Sequence, residues 1–168
     1  NLIFYGPPGC GKTALAMVIA ETTKKDFVNL NAITATVSDV RRIIEDARWR
    51  KNQKKEKTIL FIDEIAHFNK LQQDALMPEV ENGTIILIGA TTHNPFFSIN
   101  RPLVSRSLVF EFKPLGNDDI KTIIQSAISD KERGFGNLNL EIDGNVLDYI
   151  ARYSNGDARV ALNILETS

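Results

Sequence analysis

The eight residues GPPGCGKT, at positions 6–13, constrain the fold of this chain more than any other feature of its sequence. They follow the apolar run LIFY at 2–5 and precede apolar residues at helical spacing, which indicates a strand, a glycine-rich loop and a helix. The pattern G-x-x-x-x-G-K-[ST] in this setting is typical of a loop that binds phosphate groups. Gly9 and Gly11 allow backbone N–H groups to approach phosphate oxygens, and the N-terminus of the following helix favours negative charge.

The side chains of this loop predict a nucleotide site that uses a metal ion. Lys12 is placed to contact β- and γ-phosphates, and the Thr13 hydroxyl is placed to bind Mg²⁺. We therefore expect ATP and Mg²⁺ as ligands of the loop residues Gly6, Pro7, Pro8, Gly9, Cys10, Gly11, Lys12 and Thr13. Cys10 is the single cysteine, so it excludes an internal disulfide and favours the cytoplasm; we interpret it as a small filler of the loop.

Four further apolar runs indicate the rest of a sheet. They lie at 27–30, 58–63, 84–90 and 108–112, and helical patterns separate them at about 37–52 and from a cap at Asn69 to about 81. Strands that are apolar throughout and alternate with helices favour a parallel sheet covered on both faces. We therefore predict an α/β fold, a P-loop core with a five-stranded parallel sheet flanked by helices.

The strand signals stop after Pro114. Residues 117–133, 143–154 and 157–167 are predicted to form three helices, the second capped by Asp143, with a loop at 134–139. We therefore expect two domains, a nucleotide-binding core at 1–113 and a small helical lid at 114–168. The chain starts at Asn1, without a methionine and directly on an apolar run, so we expect a piece of a longer protein.

Polar residues follow the third and fourth predicted strands. Asp63 and Glu64 end the run ILFIDE, where ligands gather in parallel sheets. Behind a phosphate loop, Asp63 is placed to hold Mg²⁺ and Glu64 to polarise a water; the alternative is a strand that ends in two solvated acids. In GATT, a hydroxyl of Thr92, favoured over Thr91, is placed to contact the γ-phosphate or orient the water, although it can instead satisfy a strand-end carbonyl.

Charge is distributed unevenly along the chain. The formal net charge is −1, yet RWRKNQKKEK at 48–57 holds six basic residues and one acid. This basic run is either a solvated face or a contact to a nucleic-acid backbone, and Trp49 within it is more typical of local packing than of base stacking. No apolar run approaches membrane-spanning length, so we expect no membrane partner.

Arg106, in PLVSRSLVF, has few acidic neighbours along the chain. The nearest are Glu111, five positions later, and Glu81 before it, so few candidates exist for a local ion pair. Taken alone, the pattern favours a solvated charge at the end of a strand.

With these motifs in order, the chain resembles the AAA+ ATPases. Within their clamp-loader-like branch it is similar to the replication-associated recombination protein A (MgsA) family, which includes the Werner helicase-interacting protein. The most specific stretches are GPPGCGKT, TILFIDEI, FNKLQQDALMPEVENGTIILIGATTHNP, LVSRSLVFEFKPL and NGDARVALNILE. Ala66 and His67 stand where this family usually has histidine and arginine, and Ser107 stands where it usually has cysteine.

The resemblance implies a DNA-dependent ATPase that acts at stalled or damaged replication forks in replication restart, recombination and repair. It implies that Arg106 acts in trans on a neighbour's γ-phosphate, and that Arg159 in GDARVALN is the second sensor arginine, for which a helix-surface charge is the alternative. The implied partners are single-stranded or forked DNA, further copies of the chain and a single-stranded DNA-binding protein, with a location at the nucleoid, or in the nucleus of a eukaryote. A clamp-loader subunit, a Holliday-junction branch-migration motor and a nucleotide-binding scaffold without turnover are the alternative functions.

Overall fold

The computed structural model describes residues 1–138 and 140–167 and divides into two compact units. The first unit comprises Asn1–Gly6 and Lys12–Phe112, and the second comprises Pro7–Gly11 and Lys113–Ser168. Asn139, the last residue of the predicted loop, and Ser168, the last residue of the predicted lid, lie outside the described residues.

Five parallel strands form the sheet of the first unit, in the order β2-β3-β4-β1-β5. The strands are β1 Leu2–Tyr5, β2 Asp26–Asn31, β3 Thr58–Asp63, β4 Ile85–Thr91 and β5 Leu108–Glu111. The predicted α/β fold with a five-stranded parallel sheet is therefore confirmed. The order brings the ends of β3, β4 and β1 side by side, because β4 pairs with both of the others.

Helices connect these strands. They are α1 Lys12–Thr23, α2 Val37–Lys54, α3 Lys70–Glu81, α4 Pro95–Ser98 and α5 Arg101–Ser105, and a 3-10 turn at Ile65–His67 precedes α3. Capping boxes at Thr36 and Asn69 start α2 and α3, since each side chain accepts a hydrogen bond from the backbone three residues on. The short helices α4 and α5 were not predicted, because four or five residues are too few to show a helical period.

The sheet separates two apolar clusters of the first unit. On β3, Leu60 and Ile62 contribute to the cluster that α2 and α3 cover, whereas Ile59 and Phe61 contribute to the cluster that α1 covers. All four side chains are almost fully buried, as expected for a central strand packed on both faces.

The edge strand β5 is less buried than the prediction of a sheet covered on both faces implies. Leu108 is 65% exposed and Phe110 is 47% exposed, because β5 pairs only with β1 and lies at the end of the sheet order. The apolar composition of this run therefore predicted its strand structure correctly but overestimated its burial.

The second unit contains α6 Asn117–Ser129, α7 Gly144–Tyr153 and α8 Ala158–Thr167. Its core contains Ile120 and Ile124 of α6, Leu147 and Ile150 of α7, and Ala161 of α8. Across residues 1–138 and 140–167, no helix combines the length and apolar character that crossing a lipid bilayer needs.

The prediction that the first of these helices continues to residue 133 is wrong, since α6 ends at Ser129. Asp130 ends it, because its side-chain Oδ1 accepts hydrogen bonds from the backbone N–H groups of Glu132 (2.8 Å) and Arg133 (3.0 Å). A carboxylate that binds the following amides competes with the helical hydrogen-bond pattern. The backbone then folds back, and Phe135 N donates to Ala127 O at 2.8 Å.

Candidate nucleotide site

The phosphate-loop sequence begins where β1 ends. Gly6 has φ +147° and its N–H donates to Thr91 O at 3.1 Å, which ties the start of the loop to the end of β4. A Cβ at Gly6 would lie 2.1 Å from Phe112 O, so the backbone leaves room only for glycine.

Lys12 starts α1 and is 8% exposed, which is low for a lysine. Its Nζ donates to Gly6 O at 2.8 Å, so the ammonium group folds back over the beginning of the loop. A buried ammonium group held by a carbonyl oxygen suits binding of a stronger, charged acceptor such as a phosphate oxygen. Thr13 follows Lys12 in the first turn of α1 and is half-buried.

The middle of the loop, from Pro7 to Gly11, belongs to the second unit and contacts the start of α8 there. Gly9 has φ +68°, its carbonyl oxygen accepts a hydrogen bond from Ala158 N at 3.2 Å, and a Cβ at Gly9 would lie 1.8 Å from Asp157 Oδ1. Asp157 is therefore a neighbour of the loop that the sequence reasoning did not identify.

Pro8 and Cys10, in the middle of the loop, differ in their exposure to solvent. Pro8 is exposed, and Cys10 is 7% exposed with its Sγ donating to Pro7 O at 2.9 Å. A small buried thiol with an intraloop hydrogen bond fits the interpretation of Cys10 as a filler.

Asp63 and Glu64 lie at the end of β3, beside the end of β4. Glu64 adopts the left-handed conformation with φ 53°, which costs a residue other than glycine roughly 1 kcal/mol or more. Its Oε2 accepts a hydrogen bond from Thr92 N at 3.3 Å, so the structure brings the predicted acid and the predicted threonine together. Backbone strain of this kind concentrates at functional positions.

The two threonines at the end of β4 have different environments. Thr91 is fully buried and its Oγ1 accepts a hydrogen bond from His93 N at 3.1 Å, whereas Thr92 is exposed. The Thr91 hydroxyl thus has a structural partner, and this difference favours Thr92 as the residue that faces a ligand. The rings of His67 and His93 lie nearby in the fold, with centroids 6.2 Å apart.

Arg106 caps the C-terminus of α5 and has an acidic partner. Its NH2 group lies 2.8 Å from Glu81 Oε1 at the end of α3. The sequence pattern suggested few candidates for a local ion pair and did not identify this contact. The reason is tertiary packing, since α3 and α5 lie against each other although 25 residues of sequence separate the two side chains.

Arg106 lies near the amino end of β1, whereas Gly6 follows the carboxyl end of that strand. Its carbonyl oxygen accepts a hydrogen bond from Asn1 Nδ2 at 3.2 Å, and Leu108, two residues later, pairs with Leu2. Gly6 lies four residues beyond Leu2, about 13 Å along a strand. The Arg106 backbone is therefore farther from Gly6 than one arginine side chain spans.

Arg159 lies in the second unit, in the first turn of α8, and its side chain is 70% exposed. Asp157 Oδ1 accepts a hydrogen bond from Arg159 N at 2.8 Å, and Arg159 Nε lies 3.7 Å from the same oxygen. The carboxylate that lies against Gly9 therefore also orients the start of the helix that carries Arg159.

Much of the basic run is occupied by contacts within the first unit. Arg48 pairs with Glu79, and Arg50 Nε lies 2.7 Å from Asp26 Oδ2. Lys51 Nζ donates to Asn82 O (2.9 Å) and Thr84 Oγ1 (3.2 Å), and Lys54 Nζ lies 5.9 Å from the centre of the Trp49 ring. These contacts favour a structural role for the first half of the run, and Lys54, Lys55 and Lys57 remain exposed.

The fold and the site together define a class of protein, the phosphate-loop nucleotide-binding proteins with a parallel sheet. Within that class the chain belongs to the AAA family, because residues 2–115 match the model of the ATPase family associated with various cellular activities (AAA).

Curated relatives refine this assignment. The chain is 46% identical over 166 residues to replication-associated recombination protein A of Escherichia coli K12 and 45% identical over 166 residues to that of Haemophilus influenzae, covering 99% of this chain and 37% of each relative. It is 43% identical over 166 residues to the ATPase WRNIP1 of Dictyostelium discoideum, covering 19% of that protein. The resemblance stated from the motifs is thus confirmed, and the chain spans 37% or less of the length of these relatives.

Among solved structures, the chain is similar to the Thermotoga maritima RuvB Holliday junction branch migration motor. The TM-score is 0.78 at 27% sequence identity, over 99% of this chain and 53% of that chain.

Proposed function

We propose that this chain is the ATP-hydrolysing part of a protein that works on DNA at stalled or damaged replication forks, in replication restart, recombination and repair. The observation that carries the ATPase proposal is the contact of Glu64 with Thr92 N, beside the strand that leads into the phosphate loop. The DNA and fork part is supported by the 45–46% identity to replication-associated recombination protein A.

The loop residues bind the triphosphate in this proposal. The N–H groups around Gly9 and Gly11, both at positive φ, contact phosphate oxygens, and Lys12 exchanges Gly6 O for a β- or γ-phosphate oxygen. Thr13 and Asp63 supply oxygen ligands of the kind that Mg²⁺ prefers. When bound, Mg²⁺ neutralises charge that develops on the phosphates.

Glu64 is the group that polarises the attacking water. A carboxylate held by the Thr92 amide has its second oxygen, Oε1, outside that hydrogen bond and able to accept a proton from water. The exposed Thr92 hydroxyl, next to this amide, orients the water or contacts the γ-phosphate.

Arg106 completes the site of a neighbouring copy. Its backbone lies near the amino end of β1, about 13 Å along a strand from Gly6, which supports action on the phosphates of another subunit rather than on those of its own. Arg159 is the second sensor arginine of the proposal, oriented by Asp157. The proposed assembly is a homo-oligomer on single-stranded or forked DNA, with a single-stranded DNA-binding protein as a further partner, in the cytoplasm at the nucleoid or in a eukaryotic nucleus.

A second candidate is a branch-migration motor, which the likeness to RuvB favours. The two candidates differ in the DNA that stimulates hydrolysis. The forked or gapped substrate should be preferred by the first, and the four-way junction by the second.

The test uses the full-length protein and its Glu64→Gln variant. The variant should bind ATP normally and lose turnover by roughly 10²-fold or more, because the base is removed while the phosphate loop remains. Phosphate release is measured without DNA and with single strands, gapped duplex, forks and four-way junctions, and Glu21→Gln, an exposed glutamate outside the site and the basic run, serves as the matched control. Near-normal turnover of Glu64→Gln would contradict the assignment, and turnover that no DNA alters would contradict the DNA part.

A further inference from the structure

The guanidinium group of Arg106 is held by three contacts within its own unit. NH2 lies 2.8 Å from Glu81 Oε1, and NH1 donates to Pro102 O at 3.2 Å and to Ser105 Oγ at 3.4 Å. The Arg106 and Glu81 side chains are 45% and 47% exposed. The group is thus fixed in direction while it still faces solvent.

These contacts leave part of the guanidinium available. An arginine side chain carries five N–H donors, and the three contacts use no more than three of them. The Glu81 contact involves a single pair of atoms rather than the parallel two-bond arrangement that occupies one side of a guanidinium. Arg106 therefore keeps donors for a second anion without first breaking its contact with Glu81.

The two helices that carry the pair are fastened to each other at a second point. Asn100, just before α5, donates its backbone N–H to Gln73 Oε1 at 2.7 Å and its side-chain amide to Asp74 Oδ1 at 3.0 Å, and both acceptors are on α3. Leu103 of α5 is fully buried in the same cluster as Leu76 of α3. Glu81 is thus carried by a helix that packs against α5 and is bound to the residue before it.

We propose that Glu81 is a positioning residue that holds Arg106 in the direction from which it meets the γ-phosphate of the neighbouring subunit. This inference rests on the proposed function, since it requires Arg106 to act in trans. A long side chain that is already restricted in one geometry loses less freedom when it binds, so its hydrogen bonds to a phosphate are more effective.

The test separates the subunit that supplies the arginine from the subunit that holds ATP, in full-length protein. Donor subunits carry Lys12→Ala and keep Arg106, acceptor subunits carry Arg106→Ala and keep the phosphate loop, and mixed assemblies are verified by mass photometry. Adding Glu81→Ala to the donor should lower the maximum rate of phosphate release by about tenfold with the KM for ATP unchanged, because only the orientation of the arginine is affected.

Two controls separate positioning from general structure. Glu81→Ala placed in the acceptor should add no further loss, because that subunit has no Arg106 to hold. Glu21→Ala in the donor, an exposed acid elsewhere, should leave the mixed rate as it was. If Glu81 had only a structural role, Glu81→Ala would lower the rate whether it was placed in the donor or in the acceptor subunit.

The outcomes distinguish the two proposals. If the parent mixture of Lys12→Ala and Arg106→Ala subunits assembles but is inactive, the trans role of Arg106 fails and this inference fails with it. If the parent mixture is active and Glu81→Ala in the donor leaves the rate unchanged or raises it, only the positioning role is overturned.

Discussion

Gln73→Ala should destabilise the first unit by about 1.5–4.5 kcal/mol, because one buried amide serves two backbone groups. Gln73 is 3% exposed, its Nε2 donates to Phe68 O at 2.9 Å, and its Oε1 accepts from Asn100 N at 2.7 Å. Alanine removes both partners and leaves a buried acceptor and a partly buried donor without them.

The magnitude follows from the burial of the two orphaned groups. Phe68 O lies in a fully buried contact and should cost about 1–3 kcal/mol, the usual penalty of an unsatisfied buried polar group. Asn100 N is only partly buried, so water can replace its partner and the loss should be about 0.5–1.5 kcal/mol. For a chain of this size the sum corresponds to a decrease in melting temperature of roughly 3–18 °C.

The assay is urea unfolding followed by circular dichroism, with Gln53→Ala, an exposed residue near the end of α2, as the matched control. Gln53→Ala should change stability by no more than about 0.5 kcal/mol. Gln73→Glu adds a pH-dependent check: the buried carboxylate faces Phe68 O, its folded pKa should rise, and its penalty should shrink as the pH falls and the acid becomes a donor. Equal, small losses for Gln73→Ala and Gln53→Ala would refute the argument.

Three further outcomes are expected. Arg48→Ala should lower the urea midpoint at pH 7, because the Arg48 hydrogen bond holds the pKa of Glu79 below its usual range. A carboxyl group whose pKa is lower in the folded state stabilises the fold at pH values above its unfolded pKa. The difference from the parent protein should therefore disappear as the pH falls through the acidic range. Gly144→Ala, at the start of α7 with open space where the new Cβ would lie, should raise stability by about 0.5–1 kcal/mol in the same assay. Replacing Lys54 and Lys55 by glutamine should reduce the slope of log affinity for DNA against log salt by about one to two if they contact phosphates, and an unchanged slope would make them solvated charges.

The sheet was predictable because its signals are local. Apolar runs and helical periods depend on neighbouring residues, and the bounds of β1 and β3 and the capping box at Asn69 match the prediction. The phosphate-loop motif and the pair Asp63 and Glu64 could be proposed from the sequence for the same reason, since each is a short run at a strand end.

The rest required the tertiary structure. Glu81 lies 25 residues before Arg106 and ends a helix with no distinguishing pattern, so no sequence signal connects the two. The basic run shows the converse error, because a count of charges does not reveal that Arg48 is paired with Glu79, 31 residues away. Long-range partners of charged side chains depend on which helices pack together, and that is what the sequence pattern leaves open.

Helix α3 connects the carboxyl end of β3, where Glu64 lies, with the amino end of β4. The chain leaves β3 at Glu64, forms the 3-10 turn, and crosses the sheet in α3, whose 12 residues span about 18 Å. Near its start, Gln73 binds Phe68 O, only four residues after Glu64, and its last residue is Glu81. In the proposed function, the segment that carries Glu64, the acid that polarises the water of one subunit, therefore also carries Glu81, which holds Arg106 toward the next subunit. Gln73 links this segment to Asn100, just before α5. Loss of Gln73 should consequently impair hydrolysis from both sides of a subunit boundary, whereas loss of Glu81 should impair it only from the donor side.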